Sequence, residues 1–178
     1  MKVVSSLESI VEDLKALPPA RLELAADFVN RKKPTSWNGS SRNVRGSMKT
    51  LGGLLLDTNV VVAHFRNDRD LTARLRTIRA IYVPWVVLGE LHYGALRAQR
   101  RKAQLALIRD FMVTATLLLP DRSTSEWYGR VKEELAAMGK LIPENDIWIA
   151  ATARQFDLPL ATRDAHFANV IGLERIAW

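Results

Sequence analysis

Leu54-Leu55-Leu56-Asp57-Thr58-Asn59-Val60-Val61-Val62-Ala63-His64-Phe65 is where the fold becomes readable. A short apolar run stops on an acid, and a helical stretch, 58–65, follows at once. The same strand-to-helix step recurs downstream. Leu71, Leu75 and Ile78 mark a helix, and Ile81 to Val83 a short strand. Pro84 opens a helix that runs to about Gln99, and Leu105 to Met112 form another. Thr116 to Leu119 is a strand, and Ser125 to Met138 a long polar helix closed by Gly139 and Pro143. Asp146 to Phe156 is an apolar helix, Leu158 to Thr162 a strand, and Leu173 to Ala177 the last strand. Alternation of this kind predicts an α/β domain with a mostly parallel sheet and helices on both faces.

Upstream the pattern changes. Leu7, Ile10, Val11 and Leu14 repeat at helical spacing, Leu17-Pro18-Pro19 interrupts, and Leu22, Ala25, Ala26 and Val29 line a second short helix. Two such helices cannot bury their apolar faces alone and need a partner surface. Residues 34–50 are rich in Gly, Ser, Asn and Pro and read as a linker. Gly46-Ser47-Met48 reads as a join between two coding segments, with a natural loop containing a methionine as the alternative. The expected division is therefore 1–33 helical appendage, 34–50 linker and 51–178 α/β domain.

The chain has 178 residues and no cysteine, which removes disulfides, thiolate metal sites and a cysteine nucleophile together. It carries 26 Lys and Arg against 19 Asp and Glu, a formal net charge of +7, which favours a polyanion partner. No apolar run approaches the roughly 18 residues of a spanning helix, and no secretory signal is evident. A cytoplasmic location without membrane contact is the expectation.

Several nucleotide and hydrolase chemistries fail on their own requirements. The turn after the first strand, Asp57-Thr58-Asn59, has no glycine for a dinucleotide pyrophosphate. There is no P-loop and no Gly-x-Ser-x-Gly elbow. Haloacid-dehalogenase-type phosphotransfer needs a second Asp at position 59, which is Asn.

Four acids stand where an acid is locally odd. Asp57 ends an apolar strand, Glu90 interrupts Val86-Val87-Leu88-Gly89-Glu90-Leu91, Asp146 opens Ile147-Trp148-Ile149-Ala150-Ala151, and Asp164 follows Leu160-Ala161-Thr162-Arg163. Each has an ordinary explanation: helix N-caps for Asp57 and Asp164, a first-turn acid for Asp146, an ion pair with an arginine for Glu90. Ligands of open α/β sheets, however, bind at the carboxyl ends of strands, where Asp57 and Asp164 fall. Gathered carboxylates repel unless a cation joins them. Oxygen donors without cysteine suit Mg²⁺ or Mn²⁺, the usual apparatus of phosphodiester hydrolysis.

Leu55-Leu56-Asp57-Thr58-Asn59-Val60, Val87-Leu88-Gly89-Glu90-Leu91-His92-Tyr93-Gly94, Glu144-Asn145-Asp146-Ile147-Trp148-Ile149-Ala150-Ala151 and Leu160-Ala161-Thr162-Arg163-Asp164 resemble, in order, the motifs of PIN-domain ribonucleases, most closely the VapC toxins of type II toxin–antitoxin systems. The resemblance spans residues 51–178. It implies a three-layer α/β/α sandwich and an Mg²⁺- or Mn²⁺-dependent endoribonuclease acting on RNA. It also implies a cognate VapB-type antitoxin and a homodimer. By position, Asp57, Glu90, Asp146 and Asp164 match the acidic metal pocket, and Asn59 and Thr162 its supporting polar residues. Asp57 and Asp146 are then the main metal holders, Asp164 and Glu90 complete the site, and an activated water attacks the phosphate in line.

Residues 7–29 are similar to short antitoxin-like proteins encoded beside such toxins, which implies a helix lying in a groove of the nuclease domain. The alternative to a nuclease is a non-catalytic RNA- or DNA-binding module of the same fold. A DNA flap nuclease is a third reading, without an evident helical arch. His64, His92 and His166 read as surface or supporting residues. Arg97, Arg100, Arg101 and Lys102 form the densest basic cluster, read either as a solvated helix end or as a phosphate contact. Trp85, Trp127 and Trp148 read as core or interface.

Overall fold

The computed structural model describes residues 52–178. The appendage at 1–33 and the linker at 34–50 lie outside the described residues. Strand β1 (Gly53–Leu56) leads into α1 (Thr58–Phe65) and α2 (Arg69–Thr77), then β2 (Ala80–Pro84). Next come α3 (Trp85–Arg97), α4 (Arg101–Thr114) and β3 (Ala115–Leu118). Helices α5 (Arg122–Ala137) and α6 (Glu144–Phe156) precede β4 (Leu160–Thr162), a 3₁₀ turn (Ala165–Asn169) and β5 (Arg175–Ala177).

The five strands form one sheet in the order β3-β2-β1-β4-β5. Every neighbouring pair is parallel, with Leu54 opposite Ile81 and Leu55 opposite Leu160. The order runs one way from β1 to β3 and the other way through β4 to β5. Right-handed crossovers therefore put α1 to α4 on one face and α5 and α6 on the other. This is the expected α/β/α sandwich. It explains why Leu54, Leu55 and Leu56 are all buried: the central strand has no solvent face. The reversal between β1 and β4 is the switch point, and its carboxyl edge is where a ligand crevice opens.

Most expected elements are present, with ends moved by local chemistry. Helix α1 has the expected bounds, because Asp57 caps it. Helix α5 starts before Ser125: Asp121 accepts from the Thr124 N–H at 2.9 Å, and the Thr124 hydroxyl accepts from the Asp121 N–H at 2.9 Å. Strand β4 starts at Leu160 instead of Leu158. Pro159 has no N–H for a ladder, and the Leu158 N–H closes the end of α6 on Ala153. Ile78 is extended and lies beyond the end of α2. Gly139, at φ +64°, turns the chain out of α5 in the left-handed region that glycine enters without strain.

One buried polar knot joins the two helices of the second face. The Thr124 hydroxyl donates to the Gln155 side-chain oxygen at 2.5 Å, and the Gln155 amide donates to Asp121 at 2.8 Å. Thr124 is thus cap and core at once. Thr124→Val should lower stability by about 1–3 kcal/mol, because Gln155 stays buried with its oxygen unpaired. Urea unfolding with an unchanged m-value is the measurement that checks it.

Candidate active site

The switch-point crevice is built from the first residues past β1 and β4. Asp57 is 3% exposed and serves as the N-cap of α1. Its Oδ1 accepts from the Thr58 N–H at 2.6 Å. Its Oδ2 accepts from the Thr162 hydroxyl at 2.6 Å and from the Asn59 amide at 2.7 Å. The same Asn59 nitrogen donates to Asp164 Oδ2 at 2.7 Å, so one NH₂ group bridges two carboxylates that follow different strands. Asn59 Oδ1 accepts from the Arg163 N–H at 3.1 Å, which fixes the amide the right way round. An aspartate at position 59 could donate to neither acid, a physical reason for the asparagine that set this turn apart from dehalogenase chemistry. The Thr162 hydroxyl also accepts from the Asp164 N–H at 3.0 Å.

The other two acids arrive on helices. Glu90, on α3, accepts from the Thr58 hydroxyl and, at 2.6 Å, from the Asn145 amide. Asp146, in the first turn of α6, accepts from His166 Nε2 at 2.8 Å. Among the described residues no arginine pairs with Glu90, so that alternative is not what forms there. Asp57 and Asp146 keep their ordinary capping and first-turn roles alongside any other.

Electrostatics tie the four together. Burial raises the Asp57 pKa to about 6, against the pull of Thr162 and the Thr58 N–H, and the charges of Asp146 and Asp164 push it the same way. Asp146 is also raised, first by burial and further by Glu90 and Asp164, with His166 opposing. These acids stand within each other's field. Among the described residues no three carboxylate or imidazole groups already converge as a ligand cage; Asp57 and Asp164 share the Asn59 amide, while Glu90 and Asp146 are held by other donors. The donor set fits a hard divalent ion on chemistry: carboxylate oxygens only, with one anion held at a cost that a cation would offset.

Two contributors, Thr58 and Asn145, escaped the sequence reading, and His166 takes the supporting role it was given as one of two readings. Thr58, Asn145 and His166 hold Glu90 and Asp146 across 32, 55 and 20 residues of chain. Thr58 and Asn145 lie inside the quoted motifs, and His166 is two residues past Asp164, but nothing in spacing alone pairs them with their acids. His92 is exposed on α3, in keeping with a supporting or surface role. The tryptophans divide. Trp148 stacks on Tyr128 with centroids 4.0 Å apart, and Trp127 lies under Arg130 and Arg154. Trp85 is 38% exposed and meets Trp148 edge-on.

A parallel five-stranded sheet with Asp57 and Asp164 bridged at its switch point defines a class, and the family comparison agrees. The PIN domain pattern matches residues 54–173, and the chain belongs to the PIN-domain family. Its relatives within that family are VapC ribonucleases. Ribonuclease VapC2 of Haemophilus influenzae is 34% identical over 127 residues, 70% of this chain and 96% of that protein. The tRNA(fMet)-specific endonuclease VapC of Shigella flexneri is 30% identical over 127 residues, with the same coverage. Among solved structures, DNA-bound VapBC from Salmonella typhimurium superposes with a TM-score of 0.66 at 25% identity, over 71% of this chain and 98% of that one.

Proposed function

We propose that the chain is an endoribonuclease toxin of a toxin–antitoxin system that hydrolyses RNA phosphodiester bonds in the β1–β4 crevice. The observation that carries the proposal is the Asn59 bridge. It locks Asp57 and Asp164 side by side at the switch point of a domain whose relatives are VapC ribonucleases. A VapB-type antitoxin is the partner, in keeping with structural neighbours that are VapBC complexes. No helix among the described residues is long and apolar enough to cross a membrane, and a role on cellular RNA puts the work in the cytoplasm.

The resemblance to PIN-domain nucleases implies a divalent metal at this site, and the carboxylate donors present fit one. Asp57 and Asp146 would hold Mg²⁺ or Mn²⁺ here, with Asp164 and Glu90 completing the set. A bound divalent ion supplies charge neutralisation at the phosphate and an acidified water. The chain's own residues do the positioning. Thr162 and Asn59 aim Asp57, Asn59 spaces Asp164, His166 steadies Asp146, and Thr58 and Asn145 hold Glu90 between two elements. Such supporting contacts keep anionic groups from turning to solvent.

Competition between single-stranded RNA, a tRNA and a flap DNA tests the reading. The expected result is cleavage of RNA with the flap left intact, abolished by chelation and restored by Mg²⁺ or Mn²⁺. Binding of RNA with no cleavage under any metal would favour the non-catalytic module instead.

A further inference from the structure

Helix α3 carries more than Glu90. Tyr93 and Arg97 follow it at i+3 and i+7, so the three side chains share one face of the helix. That face spans about 10 Å from Glu90 to Arg97 at 1.5 Å rise per residue. Tyr93 is 61% exposed. Arg97 lies over its ring, 5.6 Å from the centroid, and donates to its hydroxyl at 2.9 Å. The pair is therefore ordered without being buried, and an ordered aromatic ring in water has given up freedom without gaining cover.

Among the described residues no carboxylate pairs with Arg97, or with Arg100 and Arg101 just beyond it. Arg97 spends one N–H on Tyr93 and keeps a fork of donors for a phosphate.

Gly94 is the third observation. It lies in the helix interior, next to Tyr93 and one turn on from Glu90, on the same exposed side. A Cβ there would meet nothing within 4 Å, so no contact within the described residues requires glycine. A helix-interior glycine costs stability relative to alanine, and its use is close approach of another backbone.

We infer that this face of α3 is the track for the RNA strand flanking the scissile phosphate: Tyr93 stacks a base, Arg97 holds a phosphate, and bare Gly94 lets the sugar–phosphate chain lie against the helix. The inference rests on the ribonuclease reading above. Aromatic stacking accepts any base, so the track sets affinity and the direction of the strand rather than sequence.

The test uses the full chain and a single-stranded RNA of about a dozen nucleotides. Tyr93→Ala should raise KM by about tenfold, the scale of one lost stacking contact, with a smaller fall in kcat. Arg97→Gln should weaken binding and reduce the slope of log Kd against log salt by about 0.7, one single-strand phosphate contact. Gly94→Ala should raise Tm, since helix propensity improves, and still raise KM. That opposition excludes misfolding as the cause. Wild-type cleavage with all three variants matching its KM would overturn the track and leave the ribonuclease reading intact. Wild-type protein that neither binds nor cleaves RNA would overturn both. Variants that change the oligomeric state while RNA affinity holds would assign the face to a protein contact instead and overturn the track.

Discussion

Asp57→Asn should reduce RNA cleavage by about 10³-fold or more while leaving the fold in place. Metal-assisted stabilisation of a phosphoryl transition state is worth several kcal/mol, and about 1.36 kcal/mol is a factor of ten in rate. Asparagine keeps the shape of the side chain and an oxygen for the Thr58 N–H, so the N-cap of α1 survives. What it loses is charge at the most buried of the four acids, the one that Asn59 and Thr162 both aim. Single-turnover cleavage of a labelled RNA, beside a circular-dichroism melt of the same sample, separates lost chemistry from lost structure. Residual activity within tenfold of wild type in a folded variant would remove Asp57 from the reaction.

The second large effect couples protons, metal and stability. The Asp57 carboxyl has its pKa raised to about 6 from an ordinary value of 3.8. A folded pKa above the unfolded one means that the native state holds a proton more tightly than the unfolded state does between those two values. Stability attributable to Asp57 is then fully present below about pH 4 and is lost as pH rises to about 6, a fall of about 3 kcal/mol by linkage. Asp146 moves in the same direction. Other groups oppose it. Asp121, held low by its own donors, loses stability as pH falls. His64, lowered by burial, does the same as it is forced to charge. The difference between wild type and Asp57→Asn isolates the contribution. In EDTA, wild type should lose stability relative to the variant from pH 4 to 6 and run parallel to it above. Mg²⁺ or Mn²⁺ should then stabilise wild type strongly at pH 8 and weakly at pH 5, because the ion competes with the proton for the same oxygens. A metal-induced shift of equal size at both pH values, or in the variant, would count against a cation at Asp57.

The run Leu54-Leu55-Leu56 and the acid that ends it contained most of the architecture. An apolar segment that stops on Asp57 and turns directly into a helix has few homes other than a parallel strand with a crossover, and α1 begins where the side chain says it must. Boundaries were less legible where a cap or a proline intervened, as at Asp121–Thr124 and Pro159. The acids were legible because each breaks an apolar context, and the family resemblance supplied Asn59 and Thr162 as their support; the partners of Glu90 were not legible. Asn145 looks like an ordinary exposed residue at the start of α6, and only the packing of α6 against α3 brings it to Glu90. His166 looks like a surface histidine until the 3₁₀ turn after β4 sets it on Asp146. Local contrast in hydrophobicity marks a charge out of place; it carries no information about which neutral donor meets that charge across the fold.

End-sequencing of an RNA pool incubated with Mg²⁺ and either wild type or Asp57→Asn is the most direct measurement of the central claim. Discrete new termini should appear with wild type and be missing with the variant. The same termini at the same abundance from both proteins would contradict a carboxylate-centred ribonuclease site at the switch point.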